Sequence, residues 1–529
     1  MKFAQTFRPV VIGAKGMVAS GHYLASLAGM RALQDGGNAV DAALAASLVL
    51  SVVTPETSGP GGDIFALVHM KKTGRVEALN ASGPAPRRAT IDYFRERGLA
   101  KIPTEGPLSI AVPGAVDGWS ELHQRYGALE MPRIAADAIS YARDGFPISE
   151  HLAERIEEYK DSPDVDRNYR KGMDRVAPGR ILPQKGLADT LERIAKKGRG
   201  GFYTGEWAEK MCAALKAKGA ILDEADMQDN LAEWLEPLKT AYRGFTVYEQ
   251  PPVSQGFMVL EMLNIVEGYP LDRMAPADAI HVMVEAKKLA FEDRIAHLED
   301  PRFGDPQIAR LISKEHAEKR RAAISDRARP VVRAPSTGGD TTYLCAADRE
   351  GNAVSLIQSV FAPFGSRVVA GDTGVVMNNR LCSFGLDPKR ANALAPGKRP
   401  AHTLNSYMVF RGGDFFAVGG TPGNDEQPQS NLQILHRMLD LDSEPQAAVE
   451  APRWSHMPGT PPRDRLPEEL RLEEGFPPEV IRALEKKGHK VNIVGRWVFG
   501  ASQVIVRDPA AGALFGAADP RREGYAIGW

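Results

Sequence analysis

The spacing of apolar residues changes abruptly at Thr341. Before it, residues 110–330 carry apolar positions at helical spacing, which predicts a mainly helical region. After it, the apolar residues fall into short β-rich segments separated by turn formers, namely TTYLCAAD, NAVSLIQSVF, GVVMNN, SYMVF and FFAVGG. The pattern predicts an α+β protein in which strands face each other across a core and helices cover the outside. Spacing alone does not fix the order of these layers.

The N-terminal region predicts two consecutive helices. Apolar residues recur at helical spacing over residues 23–34, and the DGG sequence at residues 35–37 supplies a stop, because glycine accepts the left-handed conformation that closes a helix. Asn38 can cap the next helix, AVDAALAASLVLSVV, which is apolar on nearly all sides. Such a helix is expected to be buried.

A longer helix is predicted from Ala277 to Leu298, with apolar residues that can form one stripe. Glu285 and Lys288 are three residues apart, and Glu292 and Arg294 follow them. The simplest interpretation of these four charged residues is a solvated face.

Composition narrows the classes of function. Lys and Arg total 66 against 67 Asp and Glu, a net charge of -1, which argues against nucleic acid or an anionic membrane as a partner. The 3 cysteines are too few and too widely spaced for a disulfide framework or a zinc site. The 11 histidines are dispersed and no HExxH motif is present, so no metal is expected.

No segment predicts secretion, membrane insertion or a bound cofactor. The N-terminus lacks the apolar core of a secretory signal, and the apolar run at residues 39–53 is too short to span a bilayer, so a cytoplasmic location is expected. The glycine cluster at residues 58–63 follows a helix and precedes a strand, the reverse of a dinucleotide-binding motif. Gly397-Lys398 lacks the remaining residues of a phosphate-binding loop.

The stretch STGGDTTYL, at residues 336–344, suggests a processing site. A threonine hydroxyl becomes a good nucleophile when a base takes its proton, and the α-amine of an N-terminal threonine is such a base. Cleavage between Asp340 and Thr341 would create that catalyst. The alternative is an ordinary junction between an exposed, mobile loop and a strand, and from these residues alone it is the favoured interpretation.

Sequence blocks along nearly the whole chain decide between these alternatives. They are GMVASGHYLASLAGMRALQDGGNAVDAA, VPGAVDGW, EAKKLAFEDRIAHLEDPRFGDP, DTTYLCAADREGNAVS, FGSRVVAGDTGVVMNNR, GKRPAHTLNSYM, GGTPGND, APRW and FGASQVIVRDPAAGALFGAADPR. In this order and spacing they resemble the γ-glutamyltransferases, self-processing amidases with an N-terminal threonine nucleophile.

The resemblance implies a fold and a mechanism. It implies a four-layer αββα sandwich and a precursor cut between Asp340 and Thr341, with residues 1–340 as the large subunit and 341–529 as the small subunit of one intertwined catalytic fold. A homodimer of such two-subunit units is compatible with it.

The resemblance also assigns catalytic roles. Thr341 would form an acyl-enzyme without any cofactor, and Ser359 stands where the family commonly has a supporting threonine. Gly423-Asn424 aligns with the paired glycines whose backbone N–H groups stabilise the oxyanion. Asn424 departs from that pattern.

Other departures from the family's pattern concern the substrate. The arginine that clamps the donor carboxylate is replaced by Ser82, the aspartate that binds the donor ammonium by Ser383, and a nearby glutamine by Arg380. The serine pair near the carboxylate becomes the dipeptide His402-Thr403, and an asparagine becomes Phe361.

These departures favour a small substrate with a carboxylate and no amino group. Arg380, with Arg367 nearby in sequence, offers a planar fork for a carboxylate, although each arginine alone is more simply a surface charge. Oxamate, handled by one member of the family, fits this pattern. Glutathione hydrolysis or γ-glutamyl transfer, glutaryl or adipyl amide hydrolysis, and a non-catalytic binding protein remain the alternatives.

Overall fold

The structure is a computed structural model that describes residues 1–2, 4–171, 173–229, 232–330, 340–457 and 468–529. The expected loop before the processing site lies mostly at residues 331–339, outside the described residues. The side chain of Asp340 also lies outside them. No helix in the described part of the chain is long and apolar enough to cross a membrane.

Strands alternate with helices along the described chain. The strands are β1 Val11–Gly13, β2 Gly16–Ser20, β3 Asp63–Met70, β4 Arg75–Ala81, β5 Phe146–Pro147, β6 Ile181–Leu182, β7 Glu233–Leu235, β8 Leu238–Tyr242, β9 Phe245–Glu249, β10 Asp340–Asp348, β11 Ala353–Phe361, β12 Ser406–Arg411, β13 Asp414–Gly420, β14 Trp454–Met457, β15 Glu469–Glu473, β16 Val491–Val494, β17 Gln503–Asp508, β18 Ala513–Ala518 and β19 Tyr525–Gly528. The longer helices are α1 Tyr23–Gln34, α2 Ala39–Val53, α3 Ala115–Tyr126, α4 Ala136–Asp144, α5 Glu150–Glu158, α6 Lys185–Lys197, α7 Gly205–Ala217, α8 Phe257–Val266, α9 Pro276–His297, α10 Lys314–Arg321, α11 Glu426–Leu439 and α12 Pro478–Lys486.

Two seven-stranded antiparallel sheets form the centre of the molecule. One has the strand order β1-β18-β17-β13-β12-β9-β8, and the other has the order β19-β2-β10-β11-β3-β4-β7. Each sheet takes strands from both sides of Thr341 in the sequence. The chain before Thr341 and the chain after it therefore build one fold together.

Three apolar cores separate four layers. The core between the sheets includes Phe65, Tyr343, Met408 and Ile505, all fully buried. A second core packs α1 and α2 on the outer face of the sheet that contains β10. A third packs α8, α9 and α11 on the outer face of the other sheet. The layers are helix, sheet, sheet and helix, which confirms the predicted αββα sandwich.

The first two predicted helices are confirmed by α1 and α2. Asn38 caps α2 in a capping box with Asp41, and every residue of α2 is buried. The apolar pattern and the local caps suffice here because both signals lie within the helix and its flanks.

Helix α9 corrects the prediction of a solvated face. Glu285 is fully buried and Lys288 nearly so, and the two side chains form an ion pair of 2.8 Å. The Lys288 ammonium also donates to the backbone carbonyl of Arg329 at 2.7 Å. Neighbouring segments supply these partners, so the charges are satisfied without water.

Candidate active site

Thr341 lies near the start of β10, in the centre of its sheet. The pairing register shifts there: Asp340 pairs with Phe361 and Thr342 with Gln358, so β11 has two residues opposite Thr341 alone. Such a β-bulge bends a strand locally and re-aims its side chains. The threonine predicted as nucleophile therefore sits at an irregular position, and its side chain is 3% exposed.

Ser359 contacts this threonine directly. The Thr341 hydroxyl donates to the Ser359 hydroxyl at 3.3 Å, and the Ser359 oxygen accepts the backbone N–H of Phe361 at 2.7 Å. Phe361 has a positive φ of 85° at the end of β11. The predicted pair of hydroxyls is thus in contact, within a backbone turn that fixes Ser359.

The glycine turn lies between β13 and α11. Gly423 has φ 128° and Asn424 has φ 57°, both in the region that glycine tolerates best. The side chain of Gln255 donates to the Asn424 carbonyl at 3.1 Å. Pro422, one residue before the turn, lines the same cleft as Thr341. The turn therefore lies beside Thr341, at the positive end of a helix dipole.

Arg380 is buried next to Phe361 and is not a surface charge. It is 1% exposed, its Nε donates to Asp63 at 3.0 Å, and its guanidinium lies 4.3 Å from the centre of the Phe361 ring. Its two terminal nitrogens are buried and have no hydrogen-bond partner among the described residues. A buried guanidinium with two uncommitted donors is suited to an acceptor that the protein does not supply.

Asp63 joins Arg380 to His402. Its carboxylate accepts from Arg380, from His402 Nε2 at 3.1 Å and from the backbone N–H of Gly83 at 3.0 Å. Asp63 also pairs with Ser359 across β3 and β11. We call Asp63, Arg380 and His402 the acid–base cluster. Strand β11 lies between Asp63 on β3 and Thr341 on β10.

Burial is the main influence on the pKa values of His402 and Arg380. It lowers the pKa of His402 to about 4, and the Arg380 charge lowers it further. It lowers the pKa of Arg380 to about 10, against the opposing effect of Asp63. Burial alone would raise the pKa of Asp63, but the hydrogen bond from His402 and the nearby charges hold it below its usual value. At neutral pH the cluster holds a carboxylate, a guanidinium and a neutral imidazole.

The remaining predicted substrate residues have mixed surroundings. Ser82 is buried and donates to the side chain of Asn80 at 2.7 Å. Thr403 is buried, and its hydroxyl has no partner among the described residues. Ser383 ends the short helical turn Arg380–Ser383 and is half-buried. Arg367 pairs with Glu105 and lies over the Tyr159 ring, so it has different neighbours from Arg380.

Sequence reasoning missed Asp63. It is the last residue of the glycine cluster at residues 58–63, which was compared only with a dinucleotide-binding motif. A Cβ atom on Gly62 would lie 2.4 Å from the Ser359 carbonyl oxygen, so glycine is required for this close approach. An acidic residue opening the otherwise apolar strand DIFALVHM was the signal available in the sequence.

Sequence reasoning also missed Gln503 and the cleft beside Thr341. The cleft spans about 320 Å³ when the adjoining open solvent is included, and it is lined by residues that include Thr341, Gln503, His151 and Arg522. Arg522 Nη1 lies 2.9 Å from His151 Nε2. Gln503 is fully buried, and neither heteroatom of its amide has a partner among the described residues.

Two groups of possible metal ligands do occur among the described residues, although the sequence suggested none. One is His281, Glu285 and His489, and the other is Glu261, Asp293 and His316. In the first, the two histidines hydrogen-bond each other at 2.8 Å and Glu285 binds Lys288. In the second, Arg320 Nε donates to Asp293 at 2.8 Å. In each group a protein cation already binds one of the carboxylates.

A four-layer αββα sandwich with a buried threonine at the head of a central strand defines the class of N-terminal-nucleophile hydrolases. The chain belongs to the gamma-glutamyltranspeptidase family, whose model matches residues 25–529. This confirms the predicted family and shows that the protein is an amide hydrolase of this class.

Known proteins are similar to this chain over nearly its whole length. The glutathione hydrolase-like YwrD proenzyme of Bacillus subtilis is 41% identical over 98% of this chain and 99% of its own. The oxamate amidohydrolase proenzyme of Klebsiella pneumoniae is 34% identical over 98% and 99%. The crystal structure of cephalosporin acylase from Bacillus halodurans superposes with a TM-score of 0.93 at 35% identity, covering 100% of this chain and 98% of that one.

Proposed function

We propose that this protein cleaves itself between Asp340 and Thr341 and then hydrolyses the amide bond of a small, carboxylate-bearing substrate such as oxamate. The observation that carries the substrate class is Arg380, which is buried against Asp63 and has two terminal nitrogens without a partner among the described residues. The family and the proenzyme relatives support the self-processing.

Cleavage would give Thr341 a free α-amine. That amine takes the proton of the Thr341 hydroxyl as the oxygen attacks the amide carbonyl. The backbone N–H groups of Gly423 and Asn424 stabilise the oxyanion. The amine half of the substrate leaves with the proton, and water then releases the acid from the acyl-enzyme. Ser359 orients the attacking hydroxyl through the 3.3 Å contact.

The acid–base cluster supports a substrate without an α-ammonium group. A γ-glutamyl donor needs a carboxylate to bind its ammonium. Asp63 already accepts hydrogen bonds from Arg380, His402 and Gly83. Arg380, in contrast, offers two donors suited to an anionic or carbonyl oxygen. One similar protein is named a glutathione hydrolase-like proenzyme, so the substrate test below also includes a γ-glutamyl amide.

The processing test is mass spectrometry of the purified protein. We expect two polypeptides, the smaller beginning at Thr341. An intact chain with full hydrolytic activity would rule out the mechanism.

The substrate test compares oxamate, a glutaryl amide and a γ-glutamyl amide with the cleaved enzyme. Arg380→Ala should lower kcat/KM for oxamate by about 100-fold, the loss of a buried charge-assisted contact. Arg390→Ala is the matched control, since Arg390 is 53% exposed. Equal kinetics for the two variants would remove Arg380 from the site, and preferred release of glutamate would favour γ-glutamyl hydrolysis.

A further inference from the structure

The charges of the acid–base cluster sum to zero. Asp63 carries one negative charge and Arg380 one positive charge, while His402 is a neutral imidazole. The three side chains are at most 1% exposed, and they meet at one carboxylate oxygen, Asp63 Oδ2, at 3.0 and 3.1 Å. Water therefore cannot screen any charge that is added to them.

A ligand bound at Arg380 changes this balance according to its own charge. A neutral carbonyl leaves the cluster at zero. A carboxylate leaves it at minus one in a buried place, which is unfavourable unless a proton enters with it. If two such ligands have the same shape, their binding at Arg380 should therefore depend differently on pH.

We propose that binding of a substrate carboxylate at Arg380 takes up one proton at the Asp63–His402 pair. This inference rests on the proposed function, because it assumes that Arg380 receives the carboxylate. It adds a role for Asp63, which positions Arg380 through its Nε and sets the charge that the substrate meets.

His402 is built to receive the proton. Its Nε2–H already donates to Asp63, and its Nδ1 accepts the backbone N–H of Leu404 at 3.4 Å, the longest of these contacts. Protonation at Nδ1 gives up only that long contact and strengthens the bond to Asp63.

The surroundings of His402 contain few other charges. Asp63 from β3 and Arg380 from the turn after Asn379 are the charged groups that face it among the described residues. The Phe65 ring packs 4.8 Å from the His402 ring, and the backbone carbonyl of Val253 accepts the backbone N–H of His402 at 2.8 Å. After cleavage the α-amine of Thr341 also titrates, so a control for that group is needed.

The experiment compares oxamate with oxamide, which replaces the carboxylate by a neutral amide of the same shape. Both use the same nucleophile, so the Thr341 amine affects both rates alike. Between pH 5 and pH 8 we expect kcat/KM for oxamate, relative to oxamide, to fall with rising pH. The limit is about tenfold per pH unit for one whole proton. A ratio that does not change with pH would overturn the proposal.

Two variants locate the proton. Asp63→Asn removes the negative charge, so the ratio should become independent of pH and rise in favour of oxamate, by about tenfold or more at pH 8. His402→Gln keeps a donor toward Asp63 and cannot be protonated, so it should flatten the pH dependence. Unchanged pH dependence in His402→Gln would overturn the assignment, and this variant decides if Asp63→Asn does not fold.

The experiment distinguishes an error in the proposed substrate class from an error in the proposed proton uptake. If the cleaved enzyme hydrolyses neither compound, both the proposed substrate class and the proton uptake are wrong. If it hydrolyses oxamate with the same pH profile as oxamide, only the proton uptake is wrong.

Discussion

Two regions near Thr341, the acid–base cluster and the cleft, hold polar groups in opposite ways. In the acid–base cluster Asp63 has three donors from residues far apart in the sequence, up to 339 positions away. In the open cleft the Gln503 amide has no partner among the described residues. A polar group fixed by several partners selects one ligand geometry, whereas an uncommitted amide can adapt to several.

The difference suggests how the substrate is divided between the regions. The cluster is closed and holds two Arg380 donors without a partner among the described residues, so we propose that it receives the carboxylate of the acyl half. The cleft is open and carries both donors and acceptors, which suits a variable amine half and the incoming water. Three variants test this comparison, from the largest expected effect to the smallest.

Thr341 lines the cleft and is separated from the acid–base cluster by one strand, so its loss should abolish function whichever region binds substrate. Thr341→Ala should prevent cleavage and lower amide hydrolysis by about 10⁴-fold or more, because it removes the nucleophile. Mass spectrometry and ammonia release measure the two effects. Thr73→Ala, in an exposed turn, is the control. Hydrolysis that persists in Thr341→Ala would contradict the assignment of the nucleophile.

Asp63 tests the closed region by stability. Asp63→Ala leaves Arg380 without its counter-charge in a buried place and should lower the free energy of unfolding by about 3–5 kcal/mol. Asp414 is the control, since it pairs with Lys71 at 2.9 Å but is 71% exposed. Asp414→Ala should cost less than about 1 kcal/mol. Similar losses in denaturant unfolding would mean that the cluster is not a buried charge network.

Gln503 tests the open region with the smallest effect. Gln503→Met removes an amide without partners, so the free energy of unfolding should change by less than about 0.5 kcal/mol. Gln358 is the matched control: it is also buried, and it donates to the Ser47 carbonyl at 3.0 Å and to Ser58 at 3.1 Å. Gln358→Met should cost about 1–3 kcal/mol.

Kinetic measurements test whether Gln503 contacts the amine half of the substrate. If Gln503 contacts the amine half, Gln503→Met should slow the release of amines that carry an amide and leave ammonia release from oxamate unchanged. A loss of stability equal to that of Gln358→Met would show instead that Gln503 has a structural role.

Local signals predicted some elements well. Helices α1 and α2 were predicted because their apolar pattern, the glycine stop and the Asn38 cap all lie within neighbouring residues. The bounds of α9 were also predicted to within one residue. The burial of its charged residues was not predicted, because Glu285 and Lys288 are stabilised in the interior by each other and by Arg329.

The candidate site shows the same limit. Thr341, Ser359 and the glycine turn could be proposed from the resemblance of the sequence to its family. Asp63 could not, since a carboxylate after two glycines has the local appearance of a turn. Arg380 was predicted to bind substrate, but its burial could not be predicted because its counter-charge lies 317 positions away in the sequence.

The sequence by itself determined the family, the α+β pattern and the threonine that we propose as nucleophile, because each depends on residue order and short-range spacing. Only the tertiary structure decided that Arg380 is buried, that Asp63 holds it together with His402, and that Gln503 stands in the cleft beside Thr341. The physical reason is that the cost of burying a charge or an amide depends on its partners, and folding brings those partners from distant parts of the chain.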